Sequence, residues 1–224
     1  MIETFPTPAA LAAAAATAAH AALLSAIDHR GGASLVATGG RSPAPVYDQL
    51  CRSRLDWSRV AVTLSDDRFL PATSPDSNER LVRERLLVEA AAAARFVPLS
   101  RPAESPQAAA DLAEPEIAAL GSYDMLLLGM GEDGHVASLI PGSPVIEAGM
   151  DPAGDRLLLG VPAGVGSPPV ARITMTMPAL LRARATLILI SGETKRAIVE
   201  DGAGLPVHAL LEQAKAPVRI LWTP

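Results

Sequence analysis

Cysteine is almost absent: Cys51 is the single one in 224 residues. An intrachain disulfide is therefore impossible, and this usage suits a reducing compartment, so the protein is expected in the cytoplasm. Aromatic residues are scarce at 3%, while hydrophobic residues reach 49%. A core of that composition must be built mostly from Ala, Leu, Val and Ile, whose small side chains imply close packing of elements. Positive charge is also in deficit, with 19 Lys and Arg against 24 Asp and Glu and a formal charge of -5. That balance argues against nucleic acid or an anionic membrane as a partner, since either usually requires a basic face. The expected partner is a small molecule, and an anionic one must be held by local positive charge. No Cys/His spacing matches a structural zinc site and the acids are scattered, so neither a metal nor another cofactor is expected.

Long polar or Ser/Gly linkers are missing too, which favours one domain over residues 1–224. No solenoid-type repeat is visible. The stretch from Pro8 to Ile27 is rich in alanine. It has no basic segment before it, and Thr17, His20 and Ser25 interrupt it, so it reads as a soluble amphipathic helix rather than a signal peptide. No other segment approaches the charge-free run of about 18 apolar residues needed to span a bilayer.

What is present is alternation. Short apolar runs at Leu35–Thr38, Val60–Leu64, Met125–Leu128, Arg156–Val161 and Leu187–Ile190 read as buried strands. Between them, Pro8–Asp28, Pro43–Arg52, Ser77–Ala94, Ala108–Ala113 and Thr194–Glu200 read as helices. Arg101–Pro106 reads as a surface connection and Gly142–Gly154 as a long irregular loop. This order predicts an α/β fold, a Rossmann-like and mostly parallel sheet with helices on both faces. In such sheets ligands bind beyond the carboxyl ends of the strands.

Several polar segments fall at those ends. Gly39-Gly40-Arg41-Ser42 lies between a strand and a helix beginning near Pro43, where exposed amides serve either a plain turn or a phosphate cradle. Asp66, Asp67 and Arg68 follow the second strand. Gly129, Gly131 and Gly134 frame a turn that sets Asp133 two residues from His135, so that a carboxylate and an imidazole can act together as a general base. Lys195 follows Ser191-Gly192 at the start of a helix, and Arg172 opens a further strand. His20, His29 and His208 lack such surroundings and read as structural or surface residues, and Trp57 and Trp222 as packing.

The run Gly129-Met-Gly-Glu-Asp-Gly-His-Val-Ala-Ser-Leu-Ile-Pro-Gly142 resembles the signature of the 6-phosphogluconolactonases. Thr38-Gly-Gly-Arg-Ser-Pro43, Asp66-Asp-Arg-Phe-Leu-Pro71 with Ser77-Asn78, Arg172-Ile-Thr-Met-Thr and Ser191-Gly-Glu-Thr-Lys195 are similar to its other elements, in the same order. The resemblance spans nearly the whole chain and implies a fold like that of glucosamine-6-phosphate deaminase. It also implies hydrolysis of 6-phospho-D-glucono-1,5-lactone in the pentose phosphate pathway. His135 would activate water, oriented by Asp133 or Asp66, with Arg68 or loop amides stabilising the carbonyl oxygen. Gly39, Gly40, Ser42, Arg172 and Lys195 would hold the phosphate. Arg41 stands where the family commonly has Ser, which leaves its contact open, and Asp67 replaces a Glu as a supporting residue.

Two other readings compete. A glucosamine-6-phosphate deaminase/isomerase has an acid after the histidine loop, in a pattern resembling Ile-Ala-Phe-Asn-Glu-Pro, where this chain has Val136-Ala-Ser-Leu-Ile-Pro141. A non-catalytic sugar-phosphate sensor of a transcription regulator would need a DNA-reading module, for which this acidic chain has no spare segment.

Overall fold

The computed structural model describes residues 2–224. In chain order the elements are β1 (Ile2–Thr4), α1 (Pro8–Arg30), β2 (Ala33–Ala37), α2 (Ala44–Leu50), β3 (Val60–Leu64), β4 (Asp66–Arg68), α3 (Asn78–Arg85), β5 (Arg95–Phe96) and α4 (Pro106–Ala119). They continue as β6 (Met125–Gly129), α5 (Ile146–Met150), β7 (Leu158–Val161), β8 (Arg172–Met175), α6 (Met177–Leu180), β9 (Thr186–Ser191), α7 (Glu193–Asp201), α8 (Pro206–Gln213) and β10 (Val218–Thr223).

Seven strands form one parallel sheet in the order β1-β10-β9-β6-β2-β3-β5. Strand β2 is buried along its full length, as are Met125–Leu128 of the central strand β6 and Thr186–Ile190 of β9. Burial at every position means that both faces are covered, which is why these strands read as continuous apolar runs. From β2 the chain moves outward through β3 to β5, then returns to β6 and moves the other way through β9 to β10. The loops after β2 and β6 therefore diverge, opening a crevice at the topological switch point.

Helix α1 begins at Thr7, whose hydroxyl accepts the Ala10 N–H at 3.1 Å, with Pro8 in the first turn. It ends where Gly31, at φ 78°, returns its N–H to Ile27 O. The expected amphipathicity is one of contact rather than of composition. Leu11, Ala15, Ala19, Leu23 and Ala26 are buried against the sheet and α2, yet Ala13, Ala21 and Leu24 on the other side are also apolar. By length and composition alone α1 could cross a membrane, but here it packs on β2, β6, β10 and α2.

A second sheet, antiparallel and ordered β4-β8-β7, was not foreseen. It claims the run expected as a fifth strand of the parallel sheet, which starts at Leu158 rather than Arg156. It also turns Asp66-Asp67-Arg68 into a strand. That triplet carries no apolar signal, and only pairing with β8, Asp66 opposite Thr174 and Arg68 opposite Arg172, makes it extended. The helix expected over Ser77–Ala94 stops at Arg85, and Glu89–Ala93 forms a separate 3₁₀ turn that begins at Glu89 with φ 50°. The loop expected over Gly142–Gly154 contains the short α5.

Candidate active site

Tyr47 pins the end of β2. Its hydroxyl donates to Thr38 O at 2.6 Å and accepts the Thr38 N–H at 2.8 Å. Burial pushes the Tyr47 phenol up, so it keeps the proton that it donates. The N–H groups of the following Gly39, Gly40, Arg41 and Ser42 donate to no acceptor among the described residues. Gly39 touches the start of α3 so closely that a Cβ there would lie 1.9 Å from Asn78 Oδ1. Only glycine permits that contact.

Asn78 ties the β4 segment to this loop. Its Nδ2 donates to Asp66 O at 2.8 Å, and its Oδ1 accepts from Arg68 Nη1 at 2.9 Å. Arg68 Nη1 also reaches Asp76 O at 2.6 Å, and Arg68 Nε is buried without a partner. Asp67, on the same strand, braces the start of α3. Its carboxylate accepts the N–H groups of Asn78 at 2.7 Å, Arg68 at 2.8 Å and Glu79 at 3.2 Å, anchoring the first turn of α3. Burial pushes the Asp67 carboxyl up to about 7, against the pull of those donors.

Lys195 is presented by the turn between β9 and α7. Trp222 Nε1 donates to Gly192 O at 2.9 Å, Gly192 N–H donates to Thr223 O at 2.9 Å, and the Arg196 guanidinium lies 4.7 Å over the Trp222 ring. These contacts fix the first turn of α7. Burial pulls the Lys195 ammonium below its ordinary value; Glu132 opposes this shift and Arg41 adds to it.

Gly39, Gly40, Arg41, Ser42, Asp66, Arg68, Asn78 and Lys195 line one cleft of about 160 Å³, floored by Gly129, Met130, Ala137 and Leu189. Arg41, Arg68 and Lys195 make no ion pair among the described residues. Uncompensated positive charge and undonated amides thus meet in a protein whose net charge is negative. An anion with several acceptor oxygens satisfies both.

The loop after β6 closes on itself through Gly131 N–H to His135 O at 3.0 Å and Gly134 N–H to Gly131 O at 3.1 Å. Asp133 Oδ1 accepts the His135 backbone N–H at 3.2 Å and lies 2.6 Å from His135 Nδ1. Burial pushes the Asp133 carboxyl up, but the charge and N–H groups of His135 outweigh it and hold the carboxyl below its ordinary range. The His135 side chain is 27% exposed, on the loop between the cleft residues Met130 and Ala137. The alternative partner, Asp66, is engaged elsewhere: its oxygens accept Ser138 Oγ at 2.6 Å and Ser65 Oγ at 3.1 Å.

Residues 6–222 match the sequence model of the family described as glucosamine-6-phosphate isomerases/6-phosphogluconolactonase. The chain belongs to the glucosamine-6-phosphate isomerase/6-phosphogluconolactonase family. Within that family it is 42% identical over 223 residues to a 6-phosphogluconolactonase of Caulobacter vibrioides, covering 99% of this chain and 96% of that protein. It is also 42% identical to a 6-phosphogluconolactonase of Rhizobium meliloti, covering 100% of this chain and 98% of that one. Its fold matches a crystal structure of a 6-phosphogluconolactonase from Shewanella baltica with a TM-score of 0.93 at 34% identity, covering 100% and 97% of the two chains.

Asp133, His135 and Arg172, all expected in the site, are not among the residues lining this cleft. Arg172 lies behind the cleft residue Arg68, its partner across the β4–β8 pair; it is 4% exposed, donates through Nη2 to Pro168 O at 2.8 Å and leaves Nε buried without a partner. Two residues that the sequence motifs include but give no role, Asn78 and Ser138, make the contacts that join β4 to the loops around the cleft. Their motif segments are visible in the chain, but their partners are distant: Ser138 and Asp66 are 72 positions apart. Of the other histidines, His208 is bonded to Ile198 O at 2.8 Å and His29 to Ser25 O at 2.8 Å. Trp57 and Trp222 are both buried.

Proposed function

We propose that this chain hydrolyses 6-phospho-D-glucono-1,5-lactone to 6-phospho-D-gluconate, the lactone-opening step of the oxidative pentose phosphate pathway. The observation that carries this reading is the Asp133–His135 pair on the same sheet edge as a cleft with unpaired Arg41, Arg68 and Lys195. The names of the full-length relatives support the substrate, which they share.

The phosphate sits against the amides of Gly39–Ser42, with Lys195 supplying charge and Arg41 at the exposed rim. Ionised Asp133 accepts from His135 Nδ1–H, which leaves the Nε2 lone pair of the neutral imidazole to take a proton from water. The water oxygen bonds to the lactone carbonyl carbon, and the tetrahedral oxyanion is stabilised by Arg68 or nearby amides. The bond from that carbon to the ring oxygen then breaks, and the imidazolium returns its proton to the departing oxygen. Phosphate binding at the far end orients the carbonyl for this attack. The whole chain acts as one catalytic domain, and its lone cysteine fits a cytoplasmic enzyme.

Freshly generated lactone tests the reading: acid release must exceed spontaneous hydrolysis. Failure to accelerate it would leave a non-catalytic sugar-phosphate binder, and ammonia release from glucosamine 6-phosphate would indicate a deaminase. Ile140, buried and apolar where the deaminase pattern has its acid, disfavours the latter.

A further inference from the structure

We propose that Ser138 and Arg172 are positioning residues: Arg172, instead of gripping the substrate phosphate, acts through the Ser138 hydroxyl to fix the Asp66 carboxylate in the cleft wall. This rests on the hydrolase reading above for its assay, and on independent geometry for its argument.

A serine hydroxyl has one proton. Ser138, 1% exposed, gives it to Asp66 Oδ2 across 2.6 Å, a short charge-assisted bond. The hydroxyl oxygen is then left as an acceptor, and Arg172 Nη1 faces it at 3.5 Å. The Ser138 backbone is held as well, its N–H donating to Thr174 Oγ1 at 3.0 Å, while Thr174 Oγ1 donates to Met175 O at 3.0 Å. Ser138 thus joins the histidine loop to Asp66 of β4 and to both Arg172 and Thr174 of β8.

Arg172 is enclosed on its other side. Pro168 O takes its Nη2, and the surrounding segment lies so near that a Cβ on Gly166 would come 3.0 Å from Nη2. A guanidinium buried this way requires a counter-charge, and Asp66 supplies it through Ser138. Arg41, Arg68 and Lys195 line the cleft, and Arg172 does not. The small antiparallel sheet therefore serves as a brace, setting one carboxylate of the cleft relative to the loop that carries His135.

The test compares 6-phosphogluconolactone with unphosphorylated gluconolactone in wild type, Ser138→Ala, Arg172→Lys and the double variant. Circular dichroism and thermal melts check folding. Each single change is expected to lower kcat roughly tenfold on both substrates, as for loss of a bond to a charged group. KM and the preference for the phosphorylated substrate stay unchanged, and the double variant falls no further than the worse single one. A preference reduced about tenfold in Arg172→Lys would make Arg172 a phosphate ligand and overturn the proposal. Fully additive losses, or normal kcat in Ser138→Ala, would overturn it too, and Ser138→Ala decides alone if Arg172→Lys does not fold. Wild type inactive on both lactones would overturn the hydrolase reading, a result distinct from a phosphate-selective defect in an active enzyme.

Discussion

Asp133 Oδ1 holds both the backbone N–H and the ring Nδ1 of His135, at 3.2 and 2.6 Å, so one carboxylate oxygen fixes the residue's main chain and its imidazole together. With Nδ1 engaged by Asp133, Nε2 is the ring nitrogen left to accept a proton in the proposed reaction. His135→Ala should keep the fold and lower kcat on the lactone by about 10² to 10⁴, the usual worth of a general base. Asp133→Asn should lose less, because the imidazole remains. Steady-state kinetics on freshly made lactone measure both, and near-normal turnover in folded His135→Ala would remove that residue from the mechanism.

Lys195 makes no ion pair among the described residues and lines the cleft beside the Gly39–Ser42 amides. Lys195→Ala should weaken 6-phosphogluconate binding roughly tenfold or more, since bonds to ionised groups are worth about 1.5 to 3 kcal/mol. It should also erase much of the preference for phosphorylated over unphosphorylated lactone. Unchanged preference would assign Lys195 to the solvated surface.

Gly131 packs against the Asp133–His135 pair, and a Cβ there would come 2.2 Å from His135 Nδ1 and 2.4 Å from Asp133 Oδ1. Gly131→Ala must push the two side chains apart. The expected result is a kcat loss approaching that of His135→Ala, with 6-phosphogluconate affinity nearly intact by calorimetry, since the phosphate loop is untouched. Loss of binding with normal kcat would contradict this division.

Burial raises the folded-state pKa of Asp67 to about 7, above its unfolded value of about 3.9. A raised carboxyl contributes stability that is complete below the unfolded pKa and is lost as pH climbs through the folded one. Wild-type stability should therefore decline between about pH 4 and 7 from this group, and level off above. Asp67→Asn should flatten that slope in urea denaturation at a series of pH values. An identical slope in both proteins would show that Asp67 ionises normally.

The mostly parallel sheet and the loops at its carboxyl edge are legible in the chain itself. Runs such as Leu126-Leu-Leu128 and Leu187-Ile-Leu-Ile190 have few ways to be buried other than as central strands. Gly39-Gly40, Gly131 and Gly134 mark the turns after two of those strands, and Asp133 finds His135 through a local contact two residues long. The rest came from contacts between distant segments. The strand Asp66–Arg68 has no hydrophobic signature and exists because β8 supplies its hydrogen-bond partners. The burial of Arg172, and the links of Ser138 to Asp66 and of Asn78 to Gly39, depend on where distant segments come to lie. Periodicity reports which face of an element is buried, whereas the partner of a buried polar group is set by packing between elements far apart in the chain.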